Sequence, residues 1–175
     1  MGYKMHHNGE TFELCEEFMD IGYMAENFEA TSCDGELQTI TRSNPERIMT
    51  LLISFPSAKA FEHEIGKIDA FMSRIQIDIH CYIVFASSEE CDFVRLQKFE
   101  RLIDHDGEFG AMYGVQIING SLEGKLTKSL FLIGKDGSIF WLDIPHDLSH
   151  ELNLDRLQIE LNRAYTSYTG VGCHA

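Results

Sequence analysis

No two of the five cysteines, at positions 15, 33, 81, 91 and 173, stand at Cys-x-x-Cys spacing. That lack argues against a thioredoxin-type dithiol centre and against a zinc ribbon. An odd cysteine count without secretory context favours reduced thiols over a disulfide framework. Basic residues are also scarce. Fourteen Lys and Arg face 28 Asp and Glu, a formal charge of −14. Nucleic acid and anionic membrane are therefore excluded as partners, since either needs clustered positive charge. Long apolar runs are absent too. The best stretches, Ile48–Phe55 and Cys81–Ala86, are far too short to cross a bilayer. The opening Met1–Gly9 lacks the apolar core of a signal peptide and the Ser or Thr of a myristoylation site, so a cytoplasmic location is expected. Only three prolines occur, at 45, 56 and 145, and no repeat, low-complexity tract or linker interrupts the chain.

What remains is an ordinary globular composition, 44% hydrophobic and 24% charged over 175 residues. One domain over 1–175 is expected, with room for a real core. Asn8-Gly9 between Tyr3–His7 and Thr11–Leu14 has the positive-φ chemistry of a two-residue hairpin turn. Phe28–Ser32 and Leu37–Ile40 around Asp34-Gly35 suggest a second hairpin, and Lys128–Ile133 with Ser138–Ile144 around Asp136-Gly137 the clearest one. Arg47–Phe55 and Ile77–Ala86 read as strands buried on both faces. Phe61, Ile65, Ile68 and Met72 give Ser57–Met72 helical spacing. Ser87-Ser88-Glu89-Glu90 resembles a capped helix start, with Cys91, Val94, Leu96 and Phe99 following. Phe109–Val115 is a short helix or loop, and Leu154–Ala164 a closing amphipathic helix. Together these predict an α/β thioredoxin-like fold: a central mixed sheet flanked by helices, with an N-terminal β-hairpin.

Several fragments in this order resemble the peroxiredoxins, and among them the bacterial thiol peroxidases of atypical 2-Cys type. Ile21-Gly22-Tyr23-Met24-Ala25-Glu26-Asn27-Phe28 is similar to the family's Gly-x-x-Ala-Pro-x-Phe, with Glu26 for proline. Phe109-Gly110-Ala111-Met112-Tyr113-Gly114-Val115 resembles Phe-Gly-x-x-Tyr-Gly-Val, and Lys128–Gly137 the strand and turn that close the active site. The resemblance implies hydroperoxide reduction by a cysteine on the first turn of the helix after Phe55, where orphan N–H groups and the helix dipole stabilise a thiolate. The family motif there is Pro, three residues, Thr, two residues, Cys. Here those positions hold Pro56, Ala60 and His63. The family's arginine is replaced by Lys128, which keeps charge but not the planar fork, and its resolving cysteine falls near Gln97. An imidazole cannot take peroxide oxygen as a sulfenic acid, so the family's reaction cannot occur at position 63.

Cys91 is the candidate for a relocated thiol, with Cys33 or Cys173 as partner. A first-turn position lowers a thiol pKa, but Glu89, Glu90 and Asp92 raise it, and a packed, idle thiol is the competing reading. Cys33 stands in the turn expected at Asp34-Gly35, Cys81 in a buried strand, and Cys15 and Cys173 near the ends. His63, between Glu62 and Glu64, is either a general base or metal ligand or the product of drift. Lys128 offers a small anion or carboxylate a positive charge. His146 and His150 would share a helical face, yet lack a nearby third ligand, so no metal or cofactor is expected. Trp141, with Phe140 and Phe131, reads as core or dimer packing.

The expectation is thus a thiol peroxidase homologue without its peroxidatic cysteine. It acts as a non-catalytic binding or regulatory protein, as a homodimer, through a small anionic ligand or protein partner. The alternative is a thiol-dependent peroxidase or redox sensor working through Cys91.

Overall fold

The computed structural model describes residues 3–42, 45–92 and 95–167. Strands β1 (Lys4–His7) and β2 (Glu10–Glu13) form the N-terminal hairpin, turned by Asn8 at φ 51° and Gly9 at φ 80°. That pair of left-handed residues matches the natural twist of a hairpin. A second hairpin joins β3 (Phe28–Ser32) to β4 (Leu37–Ile40). Strand β5 (Met49–Ser54) leads to helix α1 (Glu62–Arg74), then β6 (Ile79–Phe85) and β7 (Glu100–Ile103). Helix α2 (Glu108–Tyr113), the hairpin β8 (Ser129–Ile133) and β9 (Ile139–Asp143), and helix α3 (Leu154–Ser167) complete the order.

Seven strands make one mixed sheet in the order β4-β3-β7-β6-β5-β8-β9. The pairs β5–β6 and β6–β7 are parallel and the other four antiparallel. Alternation along the strands divides the core between the two faces. Leu51 and Ile53, with Leu130 and Leu132, pack beneath Ile65, Ile68 and Met72 of α1 and Leu157 and Leu161 of α3. Leu52, Val84 and Phe131 point the other way, against Phe109 and Tyr113 of α2. Five buried side chains, Met5, Phe12, Leu14, Ile117 and Leu148, dock the N-terminal hairpin on the body. The mixed sheet, the flanking helices and the hairpin are those read from the sequence.

Two elements differ from the sequence reading. Among the described residues, the segment expected as a helix from Ser87 makes a 3-10 turn, Ser88–Asp92, and no α-helix. Its would-be last turn is held open by Asp69 of α1, whose buried carboxylate accepts the N–H groups of Gln97, Lys98 and Phe99 at 2.9 to 3.2 Å. Backbone donors satisfied that way have no need of helix carbonyls. Strand β7 follows at once, a segment the sequence reading passed over. Beyond it, Asp104 accepts the N–H groups of Phe109 and Gly110, each at 2.9 Å, and so caps α2. Burial pushes the Asp104 carboxyl above its ordinary range and the charge of Glu108 adds to this, while those two hydrogen bonds and His105 pull it back.

Candidate functional site

The β5–α1 junction is built from the strand outward. Ser54 Oγ lies 2.7 Å from the carbonyl of Thr127 and 2.6 Å from Ser129 Oγ, which clamps the end of β5 to β8. Pro56 is buried. The helix does not begin at Ser57 as its apolar spacing suggested. Ser57 Oγ instead accepts the Ala60 N–H at 3.2 Å, and Glu90 reaches over from the 3-10 turn to accept the Ala58 N–H at 2.7 Å. Residues 58–61 form turns, and α1 starts at Glu62 behind Phe61, which offers no side-chain cap. His63 therefore sits exposed in the first turn of α1, and Ala60 is exposed in the turn that precedes the helix. Both border a shallow cleft of about 190 Å³, closed by Glu64, Lys128, Ser149 and Glu151.

Lys128 does not present its charge to that cleft as an open anion site. The residue is 1% exposed. Its ammonium donates to Glu64 Oε1 at 2.6 Å and to the His150 carbonyl at 2.8 Å, and lies 4.8 Å from the centre of the Phe61 ring. Glu64 is buried as well, and its second oxygen accepts the Leu152 N–H at 2.7 Å. The charge expected to bind an anion is already answered by a carboxylate one residue beyond His63. Nothing in the sequence signalled this, because Glu64 and Lys128 are 64 positions apart. The site thus pairs an imidazole with a neutralised, desolvated ion pair. Among the described residues, it has neither a sulfur nucleophile nor an unpaired cation facing the cleft.

The cysteines are arranged differently from the expectation of reduced thiols. Cys33, in the β3–β4 turn, and Cys91, in the 3-10 turn, form a disulfide with Cα atoms 5.9 Å apart. The turn and the 3-10 segment converge over the face of the sheet that carries α1, at a separation within the span a disulfide bridges. Cys91 is 9% exposed, not the accessible thiol of a helix terminus. Its carbonyl accepts from the Arg101 guanidinium. Cys81 is buried in β6 as anticipated, and burial pushes its thiol up to about 12. Cys15 is half-buried with its sulfur 3.5 Å from the Gly110 carbonyl. Cys173 lies outside the described residues. Gln97, near which the resemblance puts the family's resolving cysteine, is exposed in the loop before β7.

Among the described residues, no histidine belongs to a cluster that could hold a metal ion. Residues 145–150 are not helical, so His146 and His150 do not share a helical face. The segment instead pairs with the N-terminal hairpin: His6 N–H donates to the His146 carbonyl at 2.6 Å, and Leu148 N–H to the His6 carbonyl at 2.9 Å. His146 stacks on Tyr3 at 4.5 Å. Among the described residues, Glu29, Asp106 and Glu108 stand close enough to share an ion, and no histidine joins them. Also among the described residues, no helix is long and apolar enough to cross a membrane.

A seven-stranded mixed sheet with a strand–turn–helix junction at its centre and an N-terminal hairpin is the thioredoxin-like fold in its peroxiredoxin form. Comparison with solved structures gives a TM-score of 0.82 to a peroxiredoxin-like protein from Aquifex aeolicus, 19% identical, covering 94% of this chain and 98% of that one. A thiol peroxidase from Chromobacterium violaceum gives 0.81 at 13% identity with the same coverage. In sequence, the chain is 24% identical over 159 residues to the thiol peroxidase of Helicobacter pylori, covering 85% of this chain and 92% of the relative. The Aquifex aeolicus thiol peroxidase is 24% identical over 135 residues, 74% of this chain and 80% of the relative. No family model matches. Similarity to the thiol peroxidases and peroxiredoxins thus runs over most of the chain.

Proposed function

We propose that this chain is a peroxiredoxin-fold homologue that does not reduce hydroperoxides at the β5–α1 junction, and that it serves as a non-catalytic binding or regulatory protein. One observation carries the reading. The position that would hold a sulfur nucleophile holds exposed His63, and the adjacent cation, Lys128, is locked to Glu64 in the interior. Peroxide reduction needs a thiolate to attack the O–O bond and a donor to steady the leaving oxygen. Loss of one group alone would leave a repairable enzyme, whereas here Ala60, His63 and the Lys128–Glu64 pair replace all three working parts. The protein acts as a homodimer in the cytoplasm. A coupled hydroperoxide assay, with each cysteine replaced in turn, tests the reading. It predicts no saturable turnover in wild type and no cysteine-dependent component.

A second reading is favoured by the Cys33–Cys91 disulfide. Redox chemistry has moved from α1 to this pair, which acts as a thiol-based sensor. In the forward step, the two thiols lose two protons and two electrons, one S–S bond forms, and a small-molecule disulfide is cleaved to two thiols. Peptide mapping after equilibration in glutathione buffers of graded ratio tests it. A Cys33–Cys91 couple that titrates within the range of cellular buffers supports the sensor. A bridge intact at every ratio is purely structural.

A further inference from the structure

On the far edge of the sheet from the Cys33–Cys91 bridge, a cleft of about 410 Å³ opens between β9, α3 and the loop at Ile21–Gly22. Its size falls within the range of small-molecule sites. The walls are apolar where they face β9, with Ile139, Phe140 and Trp141, and Ile21 stands half-exposed on the rim. The α3 wall is charged in an unusual way. Glu160 is 2% exposed and, among the described residues, is the carboxylate that pairs with both Arg156 and Arg163. Arg156 Nε donates to its Oε2 at 2.6 Å, while Arg163 Nη1 lies 3.0 and 3.2 Å from its two oxygens. Two positive charges on one negative leave a local excess of one positive charge, in a chain whose net charge is −14. Each guanidinium spends a single nitrogen on Glu160, and among the described residues the others make no hydrogen bond. Both arginines are more than half exposed, so those donors are available at the cleft.

We infer that this cleft binds a small organic monocarboxylate with an aromatic or alkyl body, its carboxylate on the Arg156–Arg163 pair and its apolar part against Trp141. Planar guanidinium forks match a carboxylate bidentately, as they do a phosphate, and the apolar wall favours an organic acid. Buried Glu160 pre-orients both forks, which limits the entropy lost on binding. The apolar wall selects against inorganic anions, which gain nothing from it. This site is separate from the β5–α1 junction and does not depend on what happens there.

Trp141 is the chain's single tryptophan, so its emission reports this cleft alone. Full-length protein is titrated with 4-phenylbutyrate and, separately, with the neutral 4-phenylbutyramide. The expected result is a saturable change in emission with the acid, and binding about tenfold weaker for the amide, the loss of one charge-assisted pair. Arg163→Gln weakens the acid about tenfold as well. Ile21→Ser, which leaves the ion pairs intact, weakens acid and amide alike. Absence of saturable change up to about 10 mM acid overturns the inference, as does equal affinity for acid and amide. Emission that follows protein concentration rather than ligand, with a dimer in light scattering, assigns the cleft to a second copy and overturns it too.

Discussion

Glu64→Gln is the sharpest perturbation of the junction. Glutamine keeps the shape and an acceptor for the Leu152 N–H, but leaves the Lys128 ammonium, 1% exposed, without a counter-charge. Removing one partner of a buried pair costs about 3–5 kcal/mol, because the remaining charge is desolvated and unpaired. Against a total stability of roughly 5–15 kcal/mol that loss is large. With a urea m-value near 2 kcal/mol/M, the midpoint should fall by about 1.5–2.5 M. Replacing both partners, Glu64→Leu with Lys128→Met, removes the charges together and should recover most of the loss. Urea unfolding of wild type, Glu64→Leu, Lys128→Met and their double variant, with Glu64→Gln measured alongside, gives the coupling. A fall of less than about 1 kcal/mol in Glu64→Gln, or additive losses in the double variant, would mean that Lys128 has another counter-ion or reaches water.

Reducing the Cys33–Cys91 bridge, whose ends are 58 residues apart, should cost up to about 4 kcal/mol by loop entropy, or roughly 8–16 °C in Tm. Calorimetry with and without a phosphine reductant reads it, and an unchanged Tm refutes it. The Cys81 thiol, pushed up to about 12 by burial, should resist alkylation in native protein at pH 8 and react only after unfolding, as followed by mass spectrometry. Asp104 carries a folded pKa raised above its unfolded value. Between the two pKa values the folded state binds more protons, so this group lowers stability as pH rises through that window. Asp104→Asn should flatten the slope, and a carboxyl carbon titrating at the ordinary aspartate position would contradict the assignment.

Local chemistry explains what was legible in the sequence. Asn8-Gly9 and Asp136-Gly137 encode their turns directly, and the apolar runs at Met49–Ser54 and Ser129–Ile133 can only be buried strands. The proposed match of His63 to the family's cysteine position rests on spacing alone. What escaped depends on long-range partners. Glu89 and Glu90 look like the acids of a helix start, yet Glu90 is committed to the Ala58 N–H and Asp69 holds the following backbone open. Strand β7, only four residues long, has no alternation of its own and exists because β3 and β6 flank it. The Lys128–Glu64 pair and the Cys33–Cys91 bridge join positions about sixty residues apart, a distance over which periodicity carries no information.

The central claim is that no sulfur in this fold attacks peroxide from the first turn of α1. Reduced protein mixed with one equivalent of hydrogen peroxide in a quenched-flow instrument, followed by peptide mass spectrometry, tests it in a single turnover. Oxidation no faster than that of a free cysteine, with any product found at Cys33 and Cys91, is the predicted result. Rapid oxygen transfer to a thiol that enters the His63 cleft would contradict it.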